Sequence, residues 1–487
     1  MIEFPLLIRL THFFHFLFLS LLVRSGIEIL GGHPKLYWND DCAPGSEWIR
    51  FTKNRMPEDA LWTAEEEITP LSPWIALPGR DHLGLGRHWH FASVTGWIAC
   101  GVVYLALLFG TSEWRRLVPT DWSILPGAWK ALETYARLRI PRGGGGFNPL
   151  QQLSYFLVVF ALAPIQILTG LAMAPALAAR FPKLSRALGG HQAARSVHFL
   201  CLLAFIVFFL VHVSMVIAHG FGAGMARIVL GGEGRSHSIA VIVGLCGIAS
   251  VIALNVLATR ASLHAPLPTK RLLEIGIDPL LRLLFHHWSS RQDHGLISRY
   301  ARVNGRPPKN EEYTRLLAAG FEDWRLRIDG LVEHPLSLSL SELRAMPHSS
   351  QSTLHVCIQG WSYFATWTGV PISFLLMQVR PKPSARYLVF HSLDEKWERP
   401  GHGHYYEVID VETACRPQVI LADEMNGEPL AVEHGAPLRL RVEHQLGYKM
   451  AKWIHRIELV EDFRGIGGGR GGWRDDVLDY HLSDAGI

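Results

Sequence analysis

Two histidines stand out for the company they keep. His198 and His212 lie in RSVHFLCLLAFIVFFLVHVSMVIAHG, residues 195–220, long and apolar enough to cross a bilayer, which takes about 20 residues. They are fourteen positions apart, just under four helical turns, so both rings project nearly the same way. At about 1.5 Å of rise per residue they stand about 21 Å apart along the axis. One ring therefore falls near each edge of a hydrocarbon core about 30 Å thick. Ionisable groups so placed are costly and are functional hypotheses by default. The chemistry they suit is axial ligation of haem iron. A plainer alternative is a pair of interfacial histidines bonded to neighbouring helices.

Partners for the two rings are at hand. RLTHFFHF opens one apolar run and RHWHF opens the next. If successive spans run antiparallel, His12 lies level with His212, and His90 level with His198. Electron transfer through haem uses two axial imidazoles per iron, so four histidines suffice for two haems at opposite membrane faces. His15, His88, His33 and His219 lie nearby, with His15 and His88 the substitutes if a helix register slips. Arg9, Arg87 and Arg195 sit where a haem propionate could be paired, or where a membrane-edge arginine simply snorkels.

A third candidate is Cys357, in TLHVCIQGWSYFATWTGVPISFLL, a strand end running into a Trp-rich turn. A lone cysteine is most often an inert core residue, although a thiolate is also a soft ligand for a redox metal.

These residues need two kinds of scaffold. The chain has 487 residues, a net charge of +4, 16 Trp and six Cys, and a mean hydropathy of +0.15. The charge is too mild and too dispersed to grip nucleic acid. The cysteines show no CxxC spacing, so neither a zinc ribbon nor a disulfide framework is expected. Cys100, Cys201 and Cys246 lie in apolar runs and read as small hydrophobes. The apolar N-terminal run meets no small-residue cleavage site and is expected to stay as a helix. Five membrane spans are expected, roughly Leu6–Leu30, Phe91–Gly110, Leu153–Leu177, Ser196–Gly220 and Ile239–Thr259. After HAPLPTKRLLEIG the composition changes. From about Asp293 short alternating strands such as WRLRIDG, ARYLVFHSL and LRLRVEH are separated by NGRPP, MNGEP and EHGAP turns. The expected architecture is multi-domain: an all-α membrane bundle (1–225), a fifth span with linker (226–292), and a soluble α+β domain (293–487). The stretch Gly32–Arg87 has little periodicity and by itself suggests no role.

Longer motifs carry a resemblance. RLTH, HPKLYW, FNPLQQLSY, LTG and HQAARSVHF, across residues 5–220, are similar to the diheme cytochrome b subunits of formate dehydrogenase and thiosulfate reductase. That resemblance implies haem ligation by His12, His90, His198 and His212, with the fifth span as a tether outside the four-helix core. RVNGRPP, FEDWRLRIDGLVEHP, ARYLVFHSLD, EHGAPLRL and GYKMAKWIHRIEL, within residues 295–463, resemble the sulfite-oxidase-type molybdopterin fold. It implies Cys357 as the molybdenum ligand. It also implies cofactor contacts from Asn304, Ser392, His434, Arg439, Met450, Ala451 and Lys452, with Tyr405 or Tyr406 as a proton donor at the metal. Exposed strand charges for Arg439 and Lys452, and a turn role for Ser392, are the plainer readings.

One departure matters. Sulfite-oxidising members follow the cysteine with an arginine-rich turn, whereas here the residues run Cys357-Ile-Gln-Gly-Trp361. That spacing looks more like the bacterial periplasmic branch that reduces methionine sulfoxide. The expectation is a membrane oxidoreductase holding molybdopterin with molybdenum and two haem b groups. It would pass electrons from quinol to a small S-oxide or N-oxide. A dehydrogenase running the other way is the alternative, and a non-catalytic diheme protein with a docking domain is a second. Expected partners are membrane lipid, quinone or quinol, a small oxygen-atom donor or acceptor, and a second copy of the chain, with no nucleic acid. The expected location is the bacterial inner membrane, crossed several times, with the catalytic domain periplasmic.

Overall fold

The computed structural model describes residues 4–55, 62–141, 147–232, 234–281, 296–395 and 403–478. Five of its helices are long and apolar enough to cross a membrane, with mean hydropathy from 1.9 to 2.9. They are α1 (Leu6–Gly32), α2 (Leu83–Gly110), α3 (Pro149–Ala172), α4 (Gly190–Ala218) and α5 (His237–His264). The helices extend beyond several expected spans, because helical hydrogen bonding continues past the point where hydrophobicity alone would end a span. α2 begins eight residues before Phe91, so His90 sits two turns inside it rather than at its mouth. Within α3 the turn Val158–Leu162 is π-helical, immediately before Pro164. Pro lacks an amide hydrogen and its ring crowds the preceding turn, and a widened turn accommodates both.

α1 and α2 pack along their length. α5 is tied to α1 inside the apolar layer, where Arg24 donates to Asn255 Oδ1 (3.0 Å) and Thr259 Oγ1 (2.7 Å). It is thus part of the bundle, not merely a tether. α6 (Pro266–Leu281) then folds back along α2. The expected domain boundary at 292/293, like Arg142 in the loop after α2, falls outside the described residues.

The C-terminal domain is built on two five-stranded sheets. One has the order β10–β9–β6–β5, comprising β5 (Ser349–Val356), β6 (Ser362–Pro371), β9 (Ile420–Met425) and β10 (Glu428–Pro429). Its fifth strand, β11 (Arg439–Arg441), also pairs with β9. The other has the order β4–β3–β12–β7–β8, comprising β3 (Arg325–Gly330), β4 (Leu336–Ser339), β7 (Tyr387–Glu395), β8 (His404–Asp410) and β12 (Ile454–Val460). Alternating burial along β3 and β6 is what a sheet with one packed face requires. Trp324, Trp361, Trp367 and Trp453 fill the core behind the sheets.

The connection between α1 and α2, within the stretch Gly32–Arg87 of little periodicity, supplies the joint through its described residues. Its hairpin, β1 (Lys35–Leu36) with β2 (Ile49–Arg50), lies between the start of α4 and the soluble domain. Arg195 of α4 donates to the carbonyls of Lys35 (2.7 Å) and His33 (2.6 Å). Trp48 donates to Ser196 (2.9 Å). On the other side Arg302 donates to Glu67 (2.7 Å) and Tyr37 (3.0 Å).

Candidate redox and molybdopterin sites

The four membrane histidines meet as the antiparallel argument requires. His12 faces His212 and His90 faces His198, each pair with ring centroids 6.3 Å apart. An imidazole nitrogen lies about 2.0–2.1 Å from a bound metal and about 1.1 Å from its own ring centre, so two rings sharing an axial metal stand about 6.3 Å apart. Both pairs therefore have the separation of a bis-imidazole iron site. Hydroxyl groups stand at Nδ1 on three of the rings: Ser25 at His90 (3.1 Å), Thr169 at His198 (3.1 Å) and Tyr155 at His212 (3.4 Å). Partners at Nδ1 leave Nε2 for the metal and set the ring plane. A Cβ on Gly26 would lie 3.7 Å from His90 Cε1, and one on Gly170 would lie 3.5 Å from His198 Cε1. The two glycines thus leave room beside this pair for a flat macrocycle. Gln166 Nε2 stands 2.8 Å from His198 Nε2, where an axial metal would bind, and must swing aside for it.

The substitute histidines are engaged elsewhere. His15 bonds the Thr11 carbonyl and packs against Trp97 and Tyr104. His88 bonds the Gly84 carbonyl and faces Glu274. His33 stands against Glu67, and His219 against Tyr135. Of the arginines offered for propionates, Arg195 is committed to the joint, Arg9 donates to Val229 and Arg87 lies over Phe91.

The turn after β5 carries Cys357. It is closed by Cys357 N–H to Trp361 O (3.0 Å) and Gly360 N–H to Cys357 O (2.9 Å). Gly360 has φ +104°, and a Cβ there would come within 3.1 Å of Arg195 Nε; only glycine meets both demands. From α4, Gln192 Nε2 donates to the Gly360 carbonyl (2.8 Å) and to Ser362 Oγ (3.0 Å). The cysteine turn therefore rests on the N-terminal end of α4. Six residues, about 9 Å of helical rise, separate Gln192 from His198. His90 and His198 are the pair nearest Cys357, whereas His12 and His212 lie towards the far end of the bundle.

Cys357 is 1% exposed, with Sγ 3.8 Å from Asn304 Nδ2. Asn304 lines a cleft together with His434, Arg439, Met450, Ala451, Lys452 and Tyr405. Seven of the eight non-cysteine residues expected at the cofactor thus converge. Ser392 does not line the cleft. It is fully buried and donates to the Lys452 carbonyl (2.7 Å), so it holds the Lys452 segment in place. Of the two tyrosines, Tyr405 lines the cleft, while the Tyr406 hydroxyl turns to Ile466 and Asp476.

The cleft carries net positive charge, with Arg302, Arg439, Lys452 and Arg474 lining it against Asp394 and Glu433. His355 lines it as well; Arg302 opens RVNGRPP and His355 lies in TLHVCIQGW, but neither of them, nor Arg474, was expected at the cofactor. Lys452 reaches the carbonyls of Asn304 (2.6 Å) and Glu433 (2.9 Å). Gly435, at φ +116°, lets the turn after His434 pass within 3.0–3.2 Å of Lys452 and Arg439 side chains, measured from where a Cβ would sit. Burial, then Arg439 and Lys452, push His434 down to about 3. Burial likewise pushes Arg439 down to about 10. Arg439 Nε and Asn304 Oδ1 are buried without a hydrogen-bond partner. Orphaned polar atoms in a cationic cleft are what an anionic, polar ligand would satisfy, and the donor set fits a pterin phosphate beside a thiolate-bound metal.

Comparisons with known proteins agree. The prokaryotic cytochrome b561 family model matches residues 3–231, and the oxidoreductase molybdopterin-binding domain model matches residues 314–464. A candidate protein-methionine-sulfoxide reductase subunit, YedZ1 of Azospira oryzae, is 34% identical over 171 residues, covering 35% of this chain and 59% of its own. The protein-methionine-sulfoxide reductase catalytic subunit MsrP of Ralstonia nicotianae is 34% identical over 145 residues, 28% of this chain and 44% of its own. MsrP of Xanthomonas axonopodis pv. citri is 35% identical over 145 residues, 28% of this chain and 45% of its own. The chain thus spans about half the length of the curated relatives it matches. It is a fusion that joins a prokaryotic cytochrome b561 domain to an oxidoreductase molybdopterin-binding domain.

Proposed function

We propose that this chain is a quinol-dependent reductase of a small S-oxide, with both redox halves in one polypeptide. The observation that carries the reading is the seating of the Cys357–Trp361 turn on the end of α4, beside the His90/His198 pair. Two further supports are the second histidine pair deeper in the bundle and the relatives, which are named as methionine-sulfoxide reductase subunits. Haem at each histidine pair would supply one-electron relay, and molybdenum held by Cys357 and a pterin would supply two-electron oxygen exchange. The chain's own residues do the rest. Arg439 and Lys452 would hold the anion of the cofactor, Asn304 flanks the Cys357 sulfur, and the Gln192–Gly360 contact would keep the two centres at fixed separation. The lack of an arginine after Cys357 disfavours an anion such as sulfite and favours a neutral S-oxide.

The loop after α2 carries Arg115, Arg116, Lys130, Arg137 and Arg139 and leaves the bundle at the end opposite the soluble domain. By the positive-inside tendency this supports a cytoplasmic loop and a periplasmic catalytic domain.

The test uses purified protein carrying haem and molybdenum. Dithionite-reduced haems are expected to reoxidise on adding methionine sulfoxide, and Cys357→Ser is expected to abolish this while leaving the haem spectrum unchanged. Reduced haems that no S-oxide reoxidises would refute the reading.

A further inference from the structure

Behind the cleft lies a buried ionisable cluster that the reading above does not use. Lys449, Glu407 and Asp475 are all fully buried. Lys449 Nζ donates to Glu407 Oε2 (2.8 Å), Asp475 Oδ2 (2.7 Å) and the Gly471 carbonyl (2.9 Å). Those are the three hydrogens of an ammonium, so Lys449 is charged. Within these contacts two carboxyl groups share one ammonium, and burial penalises a second negative charge.

Tyr405 supplies an independent argument. Its hydroxyl lies 2.9 Å from Glu407 Oε1 and 2.8 Å from the Tyr448 carbonyl. One phenolic hydrogen can serve only one of those oxygens. The other contact needs a hydrogen from the facing side; a carbonyl has none, and a protonated carboxyl does. Both contacts are hydrogen bonds when Glu407 donates to Tyr405 and Tyr405 donates to Tyr448. The charge count and the hydrogen count thus agree on a neutral Glu407 facing one Lys449–Asp475 pair.

The groups around this acid are Lys449, Asp475 and Tyr405, with the glycine segment ending at Gly472 against its outer oxygen. Arg474 lines the cleft beside Tyr405, and Asp476, bonded to the Tyr406 hydroxyl, is a further acid of this cluster. Burial raises Glu407 to about 8, with Lys449 opposing and Asp475 reinforcing.

We propose that Glu407 is a proton store for the cleft, passing its proton through the Tyr405 hydroxyl to the oxygen that leaves the substrate. This rests on the S-oxide reading. The balance is R₂SO + 2e⁻ + 2H⁺ → R₂S + H₂O: the S–O bond breaks, sulfur is reduced, and the oxygen departs as water. Quinol is the reductant, by way of the haems. Tyr405 turns from the Tyr448 carbonyl towards the cleft, gives up its hydrogen and takes that of Glu407. Solvent in the open cleft supplies the second proton and reloads the acid. Tyr405 lines the cleft; Glu407 acts through it.

The variant is Glu407→Gln, nearly isosteric and able to keep both hydrogen bonds, with Tyr405→Phe as a second variant that leaves the acid and breaks the relay. The first readout needs no substrate. The infrared difference between wild type and E407Q at pH 7 is expected to show one protonated carboxylic acid, lost as pH rises through about 8. The second is haem reoxidation by methionine sulfoxide. Wild type should slow about tenfold per pH unit above about 8, while E407Q and Y405F are slower by about 100-fold, a usual scale for acid catalysis, and flat across that range. Absence of the infrared band overturns the proposal, as does an E407Q enzyme with the wild-type rate and alkaline limb. Loaded wild type that shows the band but reduces no S-oxide overturns the substrate reading alone. The molybdenum midpoint potential then judges the acid: a change of slope near pH 8 in wild type and none in E407Q supports it, and identical slopes sink it.

Discussion

Glu67→Gln is the sharpest perturbation of how the halves are joined. Glu67 Oε1 takes Lys35 Nζ at 2.9 Å and Arg302 Nη1 at 2.7 Å, and Oε2 stands 2.9 Å from His33 Nδ1. Glu67 and His33 are fully buried, and Lys35 and Arg302 nearly so. Lys35 belongs to the hairpin gripped by Arg195, and Arg302 leads into the cleft, so one carboxylate pins the membrane half to the catalytic half. Breaking a buried ion pair costs about 3–5 kcal/mol, and here two cations lose the same anion. At 1.36 kcal/mol per decade, the docked arrangement should weaken by at least roughly 10²-fold. Reduced haems in E67Q should keep their spectrum yet pass electrons to the soluble domain at least roughly 100-fold more slowly. The hairpin should also become open to protease. A loss of under fivefold with unchanged protease resistance would refute the idea that this carboxylate is the joint. The pH dependence follows from the sign of the shift. Burial acts to raise Glu67, but His33, Arg302 and Lys35 together hold it far below the usual carboxylate range. A depressed acid contributes stability that is fully present above about pH 4.3, its unfolded value, and lost as pH falls through the folded one. The Glu67 contribution should therefore be constant between pH 5 and 8, whereas His33, which burial pushes down to about 3, should weaken the joint as pH falls below about 6.5, its unfolded value.

Three further outcomes are expected. His198→Leu should remove the haem nearest the catalytic domain and leave that at His12/His212, so pyridine haemochrome analysis should show about half the wild-type haem while molybdenum content holds. Thr169→Val deletes the hydroxyl 3.1 Å from His198 Nδ1; a redox titration should move one haem midpoint and leave the other in place. Gly435→Ala combines φ +116° with contacts of 3.0–3.2 Å, a strain of about 1–3 kcal/mol, and should lower pterin loading, read as molybdenum per chain, without altering the haem spectrum.

Much of the site was legible because its signals are local. The span 195–220 declares itself by hydropathy, and fourteen-residue spacing forces both imidazoles onto one face whatever surrounds them. HGAPLR and GYKMAK bring their side chains to the cleft because a tight turn dictates where each points. Ser392 shows the limit of that logic. Its place in the strand was readable, but whether its hydroxyl met the cofactor or the Lys452 carbonyl depended on β12 pairing beside β7.

What the amino-acid order determined by itself is the pair of halves and their chemical endpoints. Apolar length makes helices that span a membrane, their antiparallel succession pairs His12 with His212 and His90 with His198, and a local turn presents Cys357. What only the tertiary structure decided is which ends meet. Gly32–Arg87 has little periodicity because its partners are remote: Glu67 binds Arg302 across 235 positions and Lys35 accepts from Arg195 across 160. Buried charges of that kind carry no local pattern, since each is tolerable only opposite a counter-charge that folding brings in. The same holds for Glu407, whose protonation is settled by Lys449, Asp475 and Tyr405 together. The fourth span revealed two histidines; the fold seated the Cys357 turn on the end of the helix that carries them.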